Sequence, residues 1–214
     1  MTSETDREKV RKQHAKFATG QAERSVIVPI GRALPARQRV LTDSQVRGIL
    51  ASTDLIAVTA CDCRSTEKRC GAPVDVCIVV GDMARRSQGN PVYRPIGVEE
   101  ALSILDRTSE LGLVHLSLWA PGHVPEALCS CCRCCCAQLR AMSEFGYSDY
   151  VVKSDFVAHL DPDACVGCGV CADRCQFGAI GMAGGRAVHD RERCFGCGSC
   201  VAKCPSGALT LSAR

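Results

Sequence analysis

Cysteine constrains this chain more than any other residue type, because its cysteines are both numerous and crowded together. The sequence of 214 residues contains 18 cysteines, and six of them fall in LCSCCRCCC, residues 128–136. Adjacent Cα atoms lie about 3.8 Å apart, which is closer than the two ends of a relaxed disulfide usually are. The first residues, MTSETDREKVRKQ, lack the apolar segment of a secretory signal. The pattern predicts metal binding in a reducing cytoplasm rather than a disulfide scaffold.

Charge and hydropathy exclude several classes of partner. The formal net charge is +3, which is too small to indicate binding to nucleic acid or to an anionic membrane surface. The longest apolar runs, LIAVTAC and VCIVV, fall well short of the roughly 20 residues that a membrane-spanning helix needs. No phosphate-binding loop, dinucleotide fingerprint or haem-attachment motif is present. We therefore expect no membrane insertion and no flavin or nicotinamide bound by this chain.

The chain divides into three predicted parts. Residues 1–40 are charged and form an extension, 41–150 form a cysteine-rich α/β domain, and 151–214 form a second domain. Strand-like and helical patterns alternate over the middle part, and its cysteines are expected in loops at the ends of these elements. The predicted fold class of the whole chain is α+β.

Local signals place several elements within this division. SVIVPI, residues 25–30, is a candidate short strand, and Thr42 is a candidate N-cap for the helix that follows it. GVEEALSILDRTSELG is the clearest helical segment, with acidic residues at its start and Gly112 as a stop signal. LVHLSLWA and DLIAVTA are predicted strands, and a short helix is expected directly after the cysteine run.

The C-terminal part contains an internal repeat. CVGCGVCADRCQFGAI, residues 165–180, and CFGCGSCVAKCPSGAL, residues 194–209, share four cysteines and the two glycines that flank the second cysteine. Each copy has the spacing C-x2-C-x2-C-x3-C. A zinc ribbon would instead show paired C-x2-C knuckles.

This spacing resembles that of bacterial dicluster ferredoxins, in which each [4Fe–4S] cluster takes three cysteines from one run and a fourth from the other. The resemblance implies outer-sphere electron transfer, with no bonds made at either cluster. The family usually has proline after the last cysteine of both runs, whereas Gln176 follows Cys175 here, which bears on the potential or exposure of the neighbouring cluster. The implied ligand sets are Cys165, Cys168, Cys171 and Cys204 for one cluster, and Cys194, Cys197, Cys200 and Cys175 for the other.

Ten further cysteines lie upstream in two blocks. Their order resembles that of larger iron–sulfur proteins of anaerobes that carry CxCR…C..P…C and CxCCxCCC blocks ahead of a dicluster ferredoxin. This resemblance implies further clusters and anaerobic redox metabolism, but it indicates no substrate. The first block contains Cys61, Cys63, Cys70 and Cys77; the second contains Cys129, Cys131, Cys132, Cys134, Cys135 and Cys136.

How these ten cysteines are shared between centres stays open at the level of sequence. A cubane needs about four thiolates, so ten can supply one or two further iron–sulfur clusters. Either each block holds its own cluster, or cysteines of both blocks mix. Neighbouring side chains of an extended segment point to opposite sides, so Cys131 and Cys132 are expected to diverge. All ten are candidate cofactor-binding residues, and the candidate direct metal ligands are Cys61, Cys63, Cys70, Cys77, Cys131, Cys132 and Cys134.

Several cations and histidines accompany these blocks. The cations either offset the negative charge of thiolate-bound clusters, or stay solvated, or form an anion-binding or partner-docking patch. His115 is expected to be structural, while His123 is the better candidate ligand, since cluster sites sometimes use His in place of Cys. The cations in question are Arg64, Lys68, Arg69, Arg133 and Arg140.

Three functions are compatible with these features. The first is an electron carrier that relays electrons between a donor and a partner oxidoreductase, and no catalytic residue is predicted for it. The second is a redox enzyme whose N-terminal domain holds an unusual or site-differentiated cluster that the ferredoxin clusters feed. The third is a redox sensor or metal-trafficking protein. Ferredoxin clusters specify only electron transfer, which favours the first.

Overall fold

The computed structural model describes residues 38–120, 124–146 and 151–214, together with Glu8 and Lys12. The candidate strand at 25–30 and the candidate ligand His123 lie outside the described residues. None of the described helices is long and apolar enough to cross a membrane.

Eleven strands and six helices make up the described ranges from residue 38 onward. The strands are β1 (Gln38–Leu41), β2 (Ile56–Thr59), β3 (Cys77–Val80), β4 (Arg94–Ile96), β5 (Val114–Ala120), β6 (Val124–Cys131), β7 (Val151–Val152), β8 (Phe156–Leu160), β9 (Ile180–Ala183), β10 (Arg186–His189) and β11 (Leu209–Ala213). The helices are α1 (Asp43–Ala51), α2 (Asp62–Glu67), α3 (Gly81–Arg86), α4 (Val98–Glu110), α5 (Ala137–Phe145) and α6 (Val170–Arg174).

The local start and stop signals act as expected. Thr42 caps α1 with a capping box, in which its side chain accepts from the Gln45 N–H and the Gln45 side chain accepts from the Thr42 N–H. Helix α4 carries two acidic residues in its first turn. It is followed by Gly112 at φ +72°, a conformation that favours glycine.

The first part of the chain forms one seven-stranded sheet in the order β4-β2-β3-β6-β5-β1-β7. All neighbouring strands are antiparallel except β1 and β7. Alternating strands and helices therefore build an antiparallel sheet, and the predicted α+β class is confirmed. The expectation that the cysteines of this part lie in loops is wrong for Cys129, since β6 extends up to Cys131, and for Cys63, which lies within α2.

Two apolar cores position the cysteines. In the first, Val46 and Leu50 of α1 and Leu105 of α4 pack on β2 and β3 and reach Cys61. In the second, β1, β5, β7 and α5 surround Cys131 and Cys136, and Phe195 from the C-terminal repeat completes the cluster. Part of the C-terminal repeat is thus buried against the N-terminal sheet.

The C-terminal part itself contains two small antiparallel sheets. Strands β9 and β10 form a hairpin, and β8 pairs with β11. The tight turn of the hairpin uses Gly184 and Gly185, both at positive φ. These two sheets enclose a core that contains Cys171, Cys194 and Cys200.

Candidate metal centres

The eight cysteines of the repeat form two groups that cross between the copies. The thiols near Cys197 and Cys200 are those of Cys175 and Cys194. Cys171 has Cys165 and Cys168 as neighbours, and Cys165 also interacts with Cys204. We call Cys165, Cys168, Cys171 and Cys204 the outer quartet, and Cys175, Cys194, Cys197 and Cys200 the inner quartet.

The inner quartet is the more deeply enclosed of the two. Burial raises the pKa of Cys197 and Cys200 to about 12, because a thiolate is costly away from water unless a cation or metal compensates it. The outer quartet includes Cys168, which is exposed. The two quartets therefore differ in their access to solvent.

Glycines shape both cysteine loops through the backbone. Gly167 and Gly169 flank Cys168 at φ +71° and +77°, and Gly196 and Gly198 flank Cys197 at +70° and +78°. A methyl group on Gly196 would overlap the Phe156 carbonyl, and one on Gly167 would overlap the Gly185 carbonyl. Each loop is therefore pressed against a neighbouring strand or turn at a point where only glycine fits.

Four of the upstream thiols form the tightest cluster. We call Cys70, Cys132, Cys134 and Cys135 the tight quartet; their four sulfur atoms all lie within 4.8 Å of one another. Cys70 follows α2, and the other three lie between β6 and α5. Burial alone would raise the pKa of Cys70, but the Ala72 N–H and the neighbouring thiols lower it to about 7. Cys135 is 1% exposed.

The remaining six upstream thiols form a second, wider cluster, the six-thiol group. Adjacent members interact in the order Cys61, Cys77, Cys129, Cys131, Cys136 and Cys63. Interaction with the Cys131 thiol lowers the pKa of both Cys129 and Cys136, while interaction with Cys129 raises that of Cys131. The direction of the pKa shift thus alternates from Cys77 to Cys63 along this order, while the pKa of Cys61 is raised like that of its neighbour Cys77.

Each upstream group contains cysteines from both sequence blocks. Cys131 and Cys132 are consecutive but belong to different groups. Cys129, Cys135 and Cys136, which the sequence did not single out as direct ligands, each interact with other thiols of their group. The antiparallel pairing of β3 with β6 brings the two blocks together, and local spacing does not reveal this pairing.

Two arginines near these groups are buried. Arg64 is 2% exposed and donates to the Ser130 carbonyl at 2.9 Å and to the Cys132 Sγ at 3.5 Å. Burial alone would lower the pKa of Arg64, but the Cys132 thiol and its neighbours raise it. Arg140 is 3% exposed and forms ion pairs with Glu67 at 2.8 Å and Glu144 at 3.1 Å. Arg64 thus lies where it could offset negative charge at the Cys132 sulfur, one of the roles that the sequence left open for these cations, whereas Arg133 is exposed.

The residue that replaces the expected proline joins the repeat to the N-terminal unit. The Gln176 side chain accepts from the Arg133 N–H at 3.0 Å and donates to the Gly112 carbonyl at 3.0 Å. The adjacent Phe177 stacks on Phe195 with ring centroids 4.4 Å apart. The departure from the family pattern was visible in the sequence, but its partners were not.

The carbonyls at the end of α4 are also bound by the repeat. Arg174 donates to the carbonyls of Ser109 and Glu110 and to that of Ser199, which lies within the second copy. The Glu110 carbonyl is one of the last carbonyls of the helix, which lack an i+4 donor, and the Ser109 carbonyl also accepts from the Gly112 N–H. Arg174 therefore fixes α4 against the inner quartet, a role that no sequence motif indicated.

His115 is structural, as expected. It is 6% exposed, and its ring nitrogens lie 3.0 Å from Ser109 Oγ and 3.3 Å from Ser130 Oγ. Burial lowers the pKa of His115 to about 4. Its ring is thus neutral at physiological pH.

Comparison with known proteins identifies the C-terminal domain. Residues 164–208 match the family model of a 4Fe-4S dicluster domain. A search of curated proteins finds no match for the chain. The match covers both repeat copies and confirms a ferredoxin-type iron–sulfur domain at this end of the chain, while the two upstream thiol groups lie outside it.

Proposed function

We propose that the protein relays single electrons between a donor and a partner oxidoreductase through the outer quartet, the inner quartet and the six-thiol group. Iron–sulfur clusters bound at these centres would supply the one-electron exchange. The outer and inner quartets would each hold one [4Fe–4S] cluster, and the six-thiol group would hold one further cluster.

The chemistry of the donor set supports such clusters. Thiolates are the soft ligands that iron–sulfur clusters use, and N–H groups that donate to cluster sulfur tune the potential. The Ala179 N–H donates to Cys175 Sγ at 3.2 Å. The N–H groups of Ala187 and Gly167 donate to Cys165 and lower its pKa. Backbone dipoles are thus aligned to stabilise negative charge at both quartets.

The observation that carries the proposal is the shared core between the inner quartet and the six-thiol group. Cys197 packs in the same apolar cluster as Cys131 and Cys136, next to the stacked rings of Phe177 and Phe195. Close packing of apolar side chains is the environment in which electrons pass between neighbouring centres with little reorganisation. The route from the repeat into the N-terminal sheet therefore starts at Cys197.

The outer quartet supplies the end of the route that faces solvent. Cys168 is exposed, and the neighbouring Val166 is 67% exposed. An exposed apolar side chain beside a redox centre suits a transient protein contact. By contrast, Cys61, Cys131 and Cys136 of the six-thiol group are buried, which favours electron storage or transfer there over reaction with a substrate.

The proposal is tested on the full chain, purified without oxygen. The reduced wild-type protein is expected to give electron paramagnetic resonance signals from three clusters, with magnetic interaction between the inner-quartet cluster and each of its two neighbours. The triple variant Cys63→Ser, Cys131→Ser, Cys136→Ser leaves only three thiols in the six-thiol group, fewer than a cubane needs. It should lose one cluster and the interaction of the inner-quartet cluster with it, but keep the signals of the other two. The matched control Cys168→Ser alters the outer quartet and should leave the signal of the six-thiol group unchanged.

Two results would overturn the proposal. If the triple variant keeps all its iron, sulfide and signals, the six-thiol group holds no cluster and the relay ends in the ferredoxin domain. If added small oxidants or exogenous ligands shift the signal of the six-thiol group, that centre has an open iron site and the enzyme interpretation replaces the relay.

A further inference from the structure

We propose that the tight quartet binds a single metal ion in tetrahedral coordination by four thiolates, rather than an iron–sulfur cube. This assignment is separate from the electron relay, which does not use the tight quartet. It rests on the positions of four sulfur atoms and on the groups that surround them.

The sulfur–sulfur distances match those of a mononuclear site. Cys70 Sγ lies 3.8 Å from Cys132 Sγ and 3.7 Å from Cys135 Sγ, and Cys134 Sγ lies 3.8 Å from Cys135 Sγ. In a regular tetrahedron the edge is about 1.63 times the distance from centre to corner, so a metal–sulfur bond of about 2.3 Å requires sulfur atoms about 3.8 Å apart. Three of the six sulfur–sulfur distances in the quartet have this spacing, and all six lie within 4.8 Å.

An iron–sulfur cube needs a wider arrangement. Each cysteine of a cube binds a different iron atom at a different corner, so the four thiolates point outward from separate positions. The other thiols of this chain provide an internal comparison. Within the described ranges, no other three cysteine, histidine or acidic side chains have ligand atoms within 4.8 Å of one another. The outer and inner quartets, which match a cluster-binding family, are thus more open than the tight quartet.

The surroundings of the tight quartet are those of a closed site. Cys132 and Cys135 are 5% and 1% exposed, and Leu113 packs against them. A divalent ion with four thiolates leaves two negative charges, and the buried Arg64 guanidinium donates to Cys132 Sγ. The N–H groups of Ala72 and Arg69 donate to Cys70 and Cys135. Closed four-thiolate sites of this kind are structural in other metalloproteins.

The position of the site indicates what the ion does. Cys70 lies 62 residues before Cys132 and is the only ligand that comes from the loop between α2 and β3. A bound ion would fasten this loop to the turn between β6 and α5, beside the ion pairs of Arg140 with Glu67 and Glu144. Binding energy at such a site contributes directly to folding.

Zinc and iron without sulfide both form tetrahedral four-thiolate sites, so the test must distinguish them. We would express the full chain with both metals supplied and measure zinc, iron and acid-labile sulfide per chain. The wild type is expected to hold either one zinc ion or one iron atom in excess of sulfide. Cys70→Ser should lose that single ion with no loss of sulfide, whereas the matched control Cys77→Ser, in the six-thiol group, should keep it.

Spectroscopy of the wild type identifies the metal at the tight quartet without any variant. A zinc site should show four sulfur neighbours at about 2.3 Å and no iron neighbour in X-ray absorption. An iron site should appear in the Mössbauer spectrum as one high-spin iron distinct from the clusters. The assignment would be overturned if Cys70→Ser lost iron and sulfide in equal numbers. It would also be overturned if the wild type showed neither the zinc–sulfur distances nor the separate high-spin iron. Whether the assignment holds or fails, the electron paramagnetic resonance signals of the ferredoxin clusters in Cys70→Ser show separately whether the relay centres are intact.

Discussion

The C-terminal quartets and the upstream thiol groups show two ways of bringing cysteines together. In the C-terminal repeat, the four cysteines of each copy lie within eleven residues. Glycines at positive φ let the backbone of each copy curve so that these cysteines come close together. In the upstream part, Cys61 and Cys136 are far apart in sequence, and the pairing of β3 with β6 brings their loops together. The first arrangement is encoded locally, whereas the second depends on the whole sheet.

The two regions also differ in the groups that stabilise thiolates. N–H groups of the backbone donate to sulfur in both the outer quartet and the tight quartet, and the tight quartet has in addition the buried Arg64 guanidinium beside Cys132. Backbone N–H donors are positioned by the conformation of the cysteine loop itself, but a buried guanidinium needs hydrogen-bond acceptors from other parts of the fold. Substitutions should therefore damage the two regions through different atoms.

The largest effect is expected for Gly196→Ala. A methyl group there would overlap the Phe156 carbonyl, and the backbone is at φ +70°, so strain and overlap together should cost about 4 kcal/mol. The inner quartet should lose its iron, which an iron count and anaerobic thermal unfolding would show.

The matched control is Gly198→Ala in the same loop. Its φ is +78°, but the nearest atom to the added methyl is Leu211 Cδ2 at 3.6 Å, an ordinary contact. It should cost only about 1–2 kcal/mol. Equal losses for both variants would show that positive φ, rather than close approach of the backbone, makes glycine necessary.

Replacing Arg64 tests the region that depends on side chains. Arg64→Met would leave the Ser130 carbonyl without its donor and remove the charge beside Cys132, at a cost of about 3 kcal/mol. Denaturant unfolding of the full chain measures this loss, and the iron of the two C-terminal quartets should be retained. The exposed Arg133→Met should change stability by less than about 0.5 kcal/mol. A similar loss from both variants would contradict a specific role for the buried guanidinium.

Lowering the pH should weaken the N-terminal sheet through His115. Burial holds its folded pKa at about 4, below the ordinary histidine value of 6.5, so between these values the unfolded chain binds more protons and stability falls as the pH falls. The contribution is complete above about pH 6.5, and about 2 kcal/mol of it is lost by pH 5. Nearby Asp43 opposes the shift and Arg47 adds to it.

Unfolding of the wild type and of His115→Gln between pH 7 and pH 5 measures this loss. The variant should show a shallower dependence on pH, since glutamine does not titrate. The exposed His159→Gln serves as the control for replacing a histidine outside the sheet core. Parallel slopes for wild type and His115→Gln would mean that other groups govern the acid response.

The smallest effect is expected where the two regions meet. Gln176→Leu removes the hydrogen bonds to the Arg133 N–H and the Gly112 carbonyl, at a cost of about 1 kcal/mol. It should also weaken the magnetic interaction between the inner quartet and the six-thiol group.

The control is Lys203→Met, which removes an exposed ion pair with Glu110 across the same junction. It should cost less than about 0.5 kcal/mol of stability. If it costs as much as Gln176→Leu, the amide has no special role.

Several elements of the fold followed from local signals in the sequence. Thr42 and Gln45 form the capping box of α1, and Gly112 follows the end of α4, because capping involves only residues close in the chain. The antiparallel order of the sheet and the extension of β6 through Cys129 did not follow, since hydrophobic patterns do not reveal which strands pair.

The sequence alone determined the ferredoxin-type domain, because its cysteine spacing and its glycines act over a few neighbouring residues. It also determined that ten more thiols gather near residues 61–136. Only the tertiary structure decided how they divide into a tight quartet and a six-thiol group. That division depends on strand pairing between distant segments. It also depends on the opposite directions of adjacent side chains, because of which Cys131 and Cys132 belong to different centres.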